Sequence, residues 1–324
     1  MDKILNYIDG KLVEPICGNY LDNYNPSTGK VYSLIPDSDK LDINRAIQAA
    51  KKAFVSWSKT PNQERSNILM KLADTIEKYS DDLIKAESKD NGKPESLAAR
   101  VDIPRAPANI RFFAGAILHD SSQIHDMDGM ALNYTLRKPL GVAACISPWN
   151  LPLYLLTWKI APALASGNTV VAKPSEVTPM TAYLLSKICI EAGLPKGVLN
   201  IVHGLGTKTG DPLTMHNDTP IISFTGGTIT GKHIATVTAP MFKKISLELG
   251  GKNPNIIFAD ADFDKAVSTA SRAAFTNQGQ ICLCGSRLFV EETIYERFKK
   301  ALIAKTSKLI VGDPKDPSTN LGAV

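Results

Sequence analysis

Residues 142–202 contain three short apolar segments, Val142-Ala-Ala-Cys-Ile-Ser147, Thr169-Val-Val-Ala172 and Val198-Leu-Asn-Ile-Val202. Three further segments of the same kind follow at 221–224, 245–249 and 255–258. Such runs are rich in Val and Ile and do not alternate with polar residues, which is typical of strands that are covered on both faces. Helical patterns separate them. We therefore predict an α/β fold with a parallel sheet.

The helix between the second and third of these strands has the most complete start and stop signals. Thr178 is the predicted N-cap and Pro179 the first helical residue, while Gly193 follows the last turn and Pro195 lies beyond it. These residue types favour helix ends because of their capping hydrogen bonds and backbone angles. They predict a helix over 179–192.

Two amphipathic helices are predicted upstream of the sheet. One lies within 41–57, and the second begins near Asn62 and gives way to an acidic, lysine-rich segment that ends at Asn91-Gly92-Lys93-Pro94. We interpret them as outer helices exposed to solvent. The polar segment 120–138 has an Asp-Met-Asp-Gly turn signal and predicts a hairpin that projects from the sheet domain.

Length and composition exclude several classes of protein. A chain of 324 residues suggests about two domains, and 44% hydrophobic with 21% charged residues excludes disordered, collagen-like and coiled-coil proteins. The 37 basic and 32 acidic residues are interspersed, so the net charge of +5 does not indicate a nucleic-acid partner. The uncharged segment 139–158 is interrupted by Gly141 and two prolines, which argues against a membrane span.

The cysteines and the N-terminus bear on the compartment. The chain has five cysteines, an odd number that does not fit a secreted disulfide framework. The first residues show neither a signal peptide nor an organelle presequence. We therefore expect a cytoplasmic location.

The densest cluster of reactive residue types lies between Phe275 and Arg287, where Cys282 and Cys284 are two positions apart. A zinc site needs about four ligands, and the histidines lie far away in sequence, so no metal is predicted here. A nucleophilic cysteine needs a lowered pKa or a nearby base. From these residues alone, a buried structural cysteine remains the alternative.

Two further positions suggest catalysis. Glu248 lies between leucines at the end of a strand, where removal from water would raise its pKa and suit a general base, although pairing with a neighbouring lysine is the alternative. Asn150 lies in a turn at the carboxyl end of a strand, where open α/β sheets bind ligands. Its amide could donate to a developing oxyanion, and ordinary turn chemistry is the alternative.

Two loops that follow predicted strands suggest a nucleotide-binding site. Gly204-Leu-Gly206-Thr-Lys-Thr-Gly210 follows the third strand but lacks the Rossmann spacing of glycines. Lys173-Pro-Ser-Glu176 follows the second strand and offers a cation and a carboxylate that would suit ribose hydroxyls. A solvated turn is the alternative.

In their order and spacing these motifs resemble NAD(P)-dependent aldehyde dehydrogenases. The resemblance covers the whole chain and rests on Tyr7-Ile-Asp-Gly-Lys11, Asn25-Pro-Ser-Thr-Gly29, Ser147-Pro-Trp-Asn150, Ala172-Lys-Pro-Ser-Glu176, Phe224-Thr-Gly-Gly227, Leu247-Glu-Leu-Gly-Gly-Lys-Asn-Pro254 and Asn277-Gln-Gly-Gln-Ile-Cys282. It implies an NAD-binding domain with a parallel Rossmann-type sheet at 1–119 and 139–250, an oligomerisation hairpin at 120–138 and a partial α/β catalytic domain at 251–324. A homodimer or homotetramer is expected of the full-length form.

The resemblance assigns roles residue by residue. Cys282 matches the nucleophile, Asn150 the oxyanion donor and Glu248 the base that activates water, while Cys284 is a bystander and Arg287 is structural. NAD is the implied cofactor, and the positions that match its groove are Ile146, Ser147, Trp149, Lys173, Glu176, Gly206, Gly210, Phe224, Gly227, Leu249 and Gly250. Because a carboxylate at Glu176 would repel a 2′-phosphate, NAD is expected over NADP.

Segments 101–113 and 146–159 resemble the branch of the family that oxidises muconic-type semialdehydes, such as 2-aminomuconic semialdehyde of tryptophan catabolism. Arg105 matches a residue that contacts the substrate carboxylate, and pairing of Arg105 with Asp102 is the alternative. Other readings are a dehydrogenase for retinal or medium-chain aldehydes, or a truncated, non-catalytic or structural relative.

The sequence departs from the family pattern in two places. Gly227 stands where a serine is common, which removes one hydroxyl near the cofactor pyrophosphate and predicts a small loss of affinity. The chain ends at Leu321-Gly-Ala-Val324, before the Glu-x-Phe-Gly-Pro motif of the family. We therefore expect a fragment or a truncated form that lacks the last third of a typical member and has no dehydrogenase activity on its own.

Overall fold

A computed structural model describes residues 2–323 of the chain. Its strands are β1 Asp2–Lys3, β2 Asn6–Ile8, β3 Lys11–Val13, β4 Tyr20–Asn25, β5 Lys30–Pro36, β6 Ile124–Asp126, β7 Leu132–Tyr134, β8 Val142–Ile146, β9 Thr169–Lys173, β10 Leu199–Ile201, β11 Ile221–Gly226, β12 Lys244–Leu249, β13 Pro254–Ile257 and β14 Arg287–Val290. Its α-helices are α1 Lys40–Trp57, α2 Asn62–Lys78, α3 Ser80–Asn91, α4 Glu95–Leu97, α5 Ile103–Ala116, α6 Pro152–Ala165, α7 Met180–Ala192, α8 Asp211–Met215, α9 Thr228–Thr238, α10 Phe263–Phe275 and α11 Tyr295–Thr306.

The main sheet has seven strands in the order β12-β11-β8-β9-β10-β2-β3. The first five pair in parallel, in register from Val142 opposite Thr169 and Ala143 opposite Ile221, which confirms the predicted parallel sheet. The N-terminal hairpin of β2 and β3 extends this sheet antiparallel to β10 and was not predicted. Strands of three residues are too short to show the alternation of apolar and polar residues that predicts a strand.

Helices cover the main sheet on both faces. Two apolar cores result, one between the sheet and α2, α5, α6 and α7, the other between the sheet and α1. Strands β8 and β9 are fully buried, as their unbroken apolar runs predict. The same prediction is wrong for β12, whose residues are exposed or half-buried because it is the edge strand.

The sixth predicted strand lies outside the main sheet. Strand β13 pairs in parallel with β14 in a separate two-stranded sheet, so its assignment to the main sheet is wrong. A short apolar run does not specify its partner. This sheet and the helices α10 and α11 share a third, small core around Phe298. The division of the chain into domains at residues 119, 139 and 250 stays a prediction.

Helix α7 ends as predicted and begins differently. Gly193 ends it in the left-handed conformation with φ of 75°. The helix starts at Met180, and the Met180 N–H donates to the carboxylate of Asp90 (2.6 Å) at the end of α3. Thr178 is therefore not the N-cap, because its hydroxyl donates a hydrogen bond to the Trp149 carbonyl oxygen (3.4 Å) instead.

The hairpin predicted within 120–138 is present, since β6 pairs antiparallel with β7. Its large apolar side chains are exposed, among them Ile124, Met130 and Leu132. Its part in oligomerisation stays a prediction. None of the helices between residues 2 and 323 combines the length and apolar character needed to cross a membrane.

Candidate active site

A cavity of about 860 Å³ lies at the carboxyl ends of the parallel strands β8, β9, β11 and β12. All eleven residues predicted to bind the cofactor line it: Ile146, Ser147, Trp149, Lys173, Glu176, Gly206, Gly210, Phe224, Gly227, Leu249 and Gly250. Asn150 and Cys282 line it as well. Of the remaining predicted residues, Glu248 and Arg105 are not part of its wall. The structure thus brings thirteen of the fifteen predicted residues together.

Cys282 follows a backbone segment in an unusual conformation. Helix α10 is capped by Asp262, whose side chain accepts from the Lys265 N–H, and ends at Phe275. Beyond it, Asn277 and Gln278 both have φ of 55°. A left-handed conformation costs a non-glycine residue about 1–3 kcal/mol, so this segment must be held in place. The amide of Asn277 does so by donating to the Asn150 and Gln280 carbonyl oxygens at 3.0 and 3.2 Å.

The two cysteines of this segment differ in access. Cys282 is partly exposed and faces the cavity, and its carbonyl oxygen accepts a hydrogen bond from the Asn253 amide (2.6 Å). Cys284 is buried, with its sulfur 3.4 Å from the Gly279 carbonyl oxygen. A thiol must reach the substrate to attack it, so the arrangement favours Cys282. The alternative of a buried structural cysteine describes Cys284.

Asn150 is fixed through both its side chain and its backbone. Its side-chain nitrogen donates to the Gln280 carbonyl oxygen at 2.8 Å, which connects it to the segment that carries Cys282. Its own carbonyl oxygen accepts from the Asn277 amide and from the Lys93 ammonium, both at 3.0 Å. These long-range contacts go beyond ordinary turn chemistry. Asn150 is therefore a preorganised donor at the rim of the cavity.

Lys173 and Glu176 form an ion pair inside the cavity, with 2.6 Å between the ammonium nitrogen and a carboxylate oxygen. Lys173 is 3% exposed, which contradicts the alternative of a solvated turn. Burial lowers the pKa of Lys173, and the Glu176 carboxylate opposes that shift. The pair offers donors and acceptors next to each other, as ribose hydroxyls require.

Glu248 does not lie where the sequence suggested. It is exposed on the edge strand β12, so the prediction that its flanking leucines remove it from water is wrong. Those leucines alternate to the opposite face of the strand. Burial lowers the pKa of Lys159, and the charges of Cys145 and Glu248 oppose that shift.

Arg105 lies on α5 outside the cavity. Its guanidinium donates to the Tyr154 hydroxyl (3.3 Å) and stacks over the Tyr154 ring. Asp102 is taken by Lys93 in a buried ion pair, so the alternative of an Arg105–Asp102 pair is wrong. Arg287 donates to the Lys252 carbonyl oxygen and belongs to β14.

The structure also adds residues that sequence reasoning missed. Asp211 and His233 line the cavity and approach each other to 3.1 Å. Lys93 contacts the candidate site although its Gly-Lys-Pro context indicated only a helix end. Partners this far apart in sequence leave no local signal. Within residues 2–323, no three His, Cys, Asp or Glu side chains are grouped so that they could hold a metal ion.

The chain is similar to known proteins along nearly its full length. A model of the aldehyde dehydrogenase family matches residues 15–324. The chain is 53% identical over 320 residues to 2-aminomuconic semialdehyde dehydrogenase of Danio rerio and 51% identical to that of Homo sapiens, covering 98% of this chain and 65% of each relative. It is 44% identical to 2-hydroxymuconic semialdehyde dehydrogenase of Pseudomonas sp. (strain CF600), covering 99% of this chain and 68% of that protein.

Solved structures agree with these relatives. The NAD+ complex of an aldehyde dehydrogenase from Bacillus cereus superposes with a TM-score of 0.97 at 39% identity, covering 99% of this chain and 66% of that one. The chain thus spans about 65% of the length of the curated relatives it matches first. The predicted fold is confirmed by this likeness. Sequence, structure and family model agree, and the chain belongs to the aldehyde dehydrogenase family.

Proposed function

We propose that, in the full-length form, the protein oxidises an aldehyde to a carboxylic acid with NAD, through a covalent intermediate on Cys282. The observation that carries this proposal is that Cys282 and Asn150 line the same cavity as every residue predicted to bind the cofactor. The NAD+ complex of the Bacillus cereus relative supports the choice of cofactor. The names of the relatives support an aldehyde as substrate.

The first half-reaction forms a thioester. The Cys282 thiolate adds to the aldehyde carbon, and the carbonyl oxygen of the resulting thiohemiacetal is held by the Asn150 amide and the Cys282 backbone N–H. The Asn150 amide carries two N–H groups: one donates to the Gln280 carbonyl oxygen, and the other is left for the substrate oxygen. NAD, when bound, supplies the hydride acceptor. Lys173 and Glu176 would hold the adenosine ribose.

The second half-reaction releases the acid. Water adds to the thioester carbon, the carbon–sulfur bond breaks, and the Cys282 thiolate is regenerated together with a carboxylic acid. We assign the removal of the water proton to Glu248. Glu248 lies outside the cavity wall, so it must swing toward Cys282 to act, and its exposed position on an edge strand leaves its side chain free to do so.

A semialdehyde that carries a carboxylate is the substrate we favour. Curated relatives with 53% and 44% identity act on aminomuconic and hydroxymuconic semialdehydes, as their names state. Arg105 is exposed and free of any carboxylate partner among residues 2–323, and we propose that it binds the substrate carboxylate. A retinal or medium-chain aldehyde would gain nothing from this charge.

We further propose that copies of the protein associate through the hairpin 120–138. Its exposed apolar side chains, Ile124, Met130, Leu132 and Tyr134, would lose contact with water in a homodimer or homotetramer. Sedimentation of the purified protein tests this assignment. A Leu132→Asp substitution should shift the protein to smaller species, and an unchanged distribution would contradict the assignment.

Pre-steady-state absorbance at the NADH wavelength, measured on the full-length form, tests the chemistry. Cys282→Ala should abolish NADH formation, whereas Glu248→Gln should keep a burst of one NADH per site and slow the steady state, because only deacylation needs the base. Cys284→Ala is the matched control and should leave both phases nearly unchanged, because its thiol does not face the cavity. Equal losses in the two cysteine variants would refute the assignment of the nucleophile.

A further inference from the structure

We propose that Lys93 is a positioning residue for Asn150, which holds the oxyanion donor in place through a hydrogen bond to its backbone. This inference rests on the proposed function of Asn150. The ammonium of Lys93 lies 3.0 Å from the Asn150 carbonyl oxygen. Lys93 is far from Cys282 in the sequence and does not line the cavity, so it acts through Asn150 and not on the substrate.

Lys93 is fixed at its backbone before its side chain enters the core. Helix α3 ends at Asn91, and the next residue, Gly92, has a φ of 82°, a left-handed conformation that glycine tolerates. The Lys93 carbonyl oxygen then accepts a hydrogen bond from the Ser88 hydroxyl (2.7 Å). The side chain is fully buried. A lysine with this little freedom delivers its donors to defined acceptors.

Two acidic residues surround the ammonium. Asp102 accepts a hydrogen bond from it, and a Glu87 carboxylate oxygen lies 3.6 Å away, with both acidic side chains fully buried. Burial raises the pKa of Glu87, with the Lys93 ammonium opposing the shift. The shift favours the protonated form of Glu87, which leaves Lys93 and Asp102 as an ion pair without net charge. The ammonium is compensated and still has a donor for the Asn150 carbonyl oxygen.

The hydrogen bonds continue from Lys93 to the nucleophile segment. The Asn150 carbonyl oxygen also accepts from the Asn277 amide, which in turn donates to the Gln280 carbonyl oxygen. The same Gln280 oxygen accepts from the Asn150 amide. Lys93 thus lies at one end of a connected network that sets Asn150 against the residues preceding Cys282. A buried ion pair alone is weak evidence for a stabilising role, whereas this network gives the charge a geometric task.

A double-mutant cycle in the full-length form tests the proposal. Lys93→Met should slow the NADH burst by about 10- to 100-fold, because a displacement of about 1 Å at a catalytic group has effects of this size. The Kd for NAD and the KM for the aldehyde should change less than about threefold. In an Asn150→Ala background the same substitution should slow the burst less than about threefold, because the group that Lys93 positions is gone. Equal effects in both backgrounds would overturn the proposal.

Two controls keep a folding defect apart from a positioning effect. Lys93→Met leaves Asp102 without a partner, so Lys93→Met/Asp102→Asn restores neutrality and should show the same slow burst. Glu87→Gln mimics the protonated acid and leaves the Lys93–Asn150 hydrogen bond in place, so its burst at pH 7 should stay within about threefold of the parent. A fast burst in the neutral double variant would refute the role of Lys93.

Amide hydrogen exchange gives a readout that needs no turnover. Trp149, Asn150 and Leu151 should exchange faster in the neutral double variant than in Glu87→Gln, because the turn has lost a donor. Equal exchange would overturn the proposal even in an inactive protein. Absence of NADH formation by the full-length parent protein with every aldehyde would instead count against the proposed function, and the exchange result would then decide on Lys93.

Discussion

His203 should make the stability of this protein sensitive to acid. It follows β10, is 1% exposed, and neither ring nitrogen has a hydrogen-bond partner within the described chain. Burial, and next the positive charge of Lys173, lower the pKa of His203 to about 3. In the unfolded chain the pKa of a histidine is about 6.5. The native state therefore excludes a proton that the unfolded chain binds.

The sign and size of the effect follow from linkage. Between pH 6.5 and pH 3 the unfolded chain binds more protons than the native state, so the free energy of unfolding falls as the pH falls. From a pKa of about 6.5 in the unfolded chain, the loss between pH 7 and pH 5 is about 2 kcal/mol. The loss is absent above the unfolded pKa.

Urea unfolding at pH 7 and pH 5 measures this loss when the parent protein is compared with His203→Leu. Other titrating groups contribute to both proteins, so the comparison isolates His203. When the pH is lowered from 7 to 5, the unfolding free energy of the parent should fall by about 2 kcal/mol more than that of the variant. Parallel pH dependences would refute the reasoning and would mean that His203 takes up a proton in the native state.

Three further predictions concern the site. Glu176→Gln should lower the ratio of the dissociation constant for NADP to that for NAD by about tenfold, because a charge that repels the 2′-phosphate is lost. Tryptophan fluorescence measures both constants, and an unchanged ratio would mean that Glu176 does not face the ribose. Arg105→Ala should lower kcat/KM by about 10-fold or more for a semialdehyde with a carboxylate and little for a neutral aldehyde, and equal losses would contradict the substrate assignment. A Cβ at Gly227 would meet no atom within 4 Å, so Gly227→Ser should fit and bind NAD a few times more tightly; weaker binding in titrations would show that the missing hydroxyl is not needed.

The parts of the fold that the sequence predicts are those with local signals. Strands β8 and β9 are buried on both faces and carry unbroken apolar runs. Gly193 ends α7 because glycine adopts the left-handed conformation without steric cost. The choice of which strand pairs with which depends on residues far apart in the sequence. The run at 255–258 has the same composition as the central strands, yet it pairs with β14 in another sheet.

The site follows the same division. The cofactor residues lie on turns directly after predicted strands, so the carboxyl ends of a parallel sheet bring them together. The exposure of Glu248 could not be predicted, because two flanking leucines say nothing about which strand lies at the edge. The contact of Lys93 with Asn150 could not be predicted either, because it depends on where α3 ends relative to β8.

The central claim is that Cys282 carries the reacting acyl group. Mass spectrometry of the intact full-length Glu248→Gln protein, mixed with NAD and an aldehyde and quenched within the first turnover, tests it most directly. The account predicts a mass increase of one acyl group, located on the peptide that contains Cys282, and no increase in the Cys282→Ala/Glu248→Gln protein. An acyl group on Cys284 or on another residue, or NADH formation that continues in Cys282→Ala, would contradict the account.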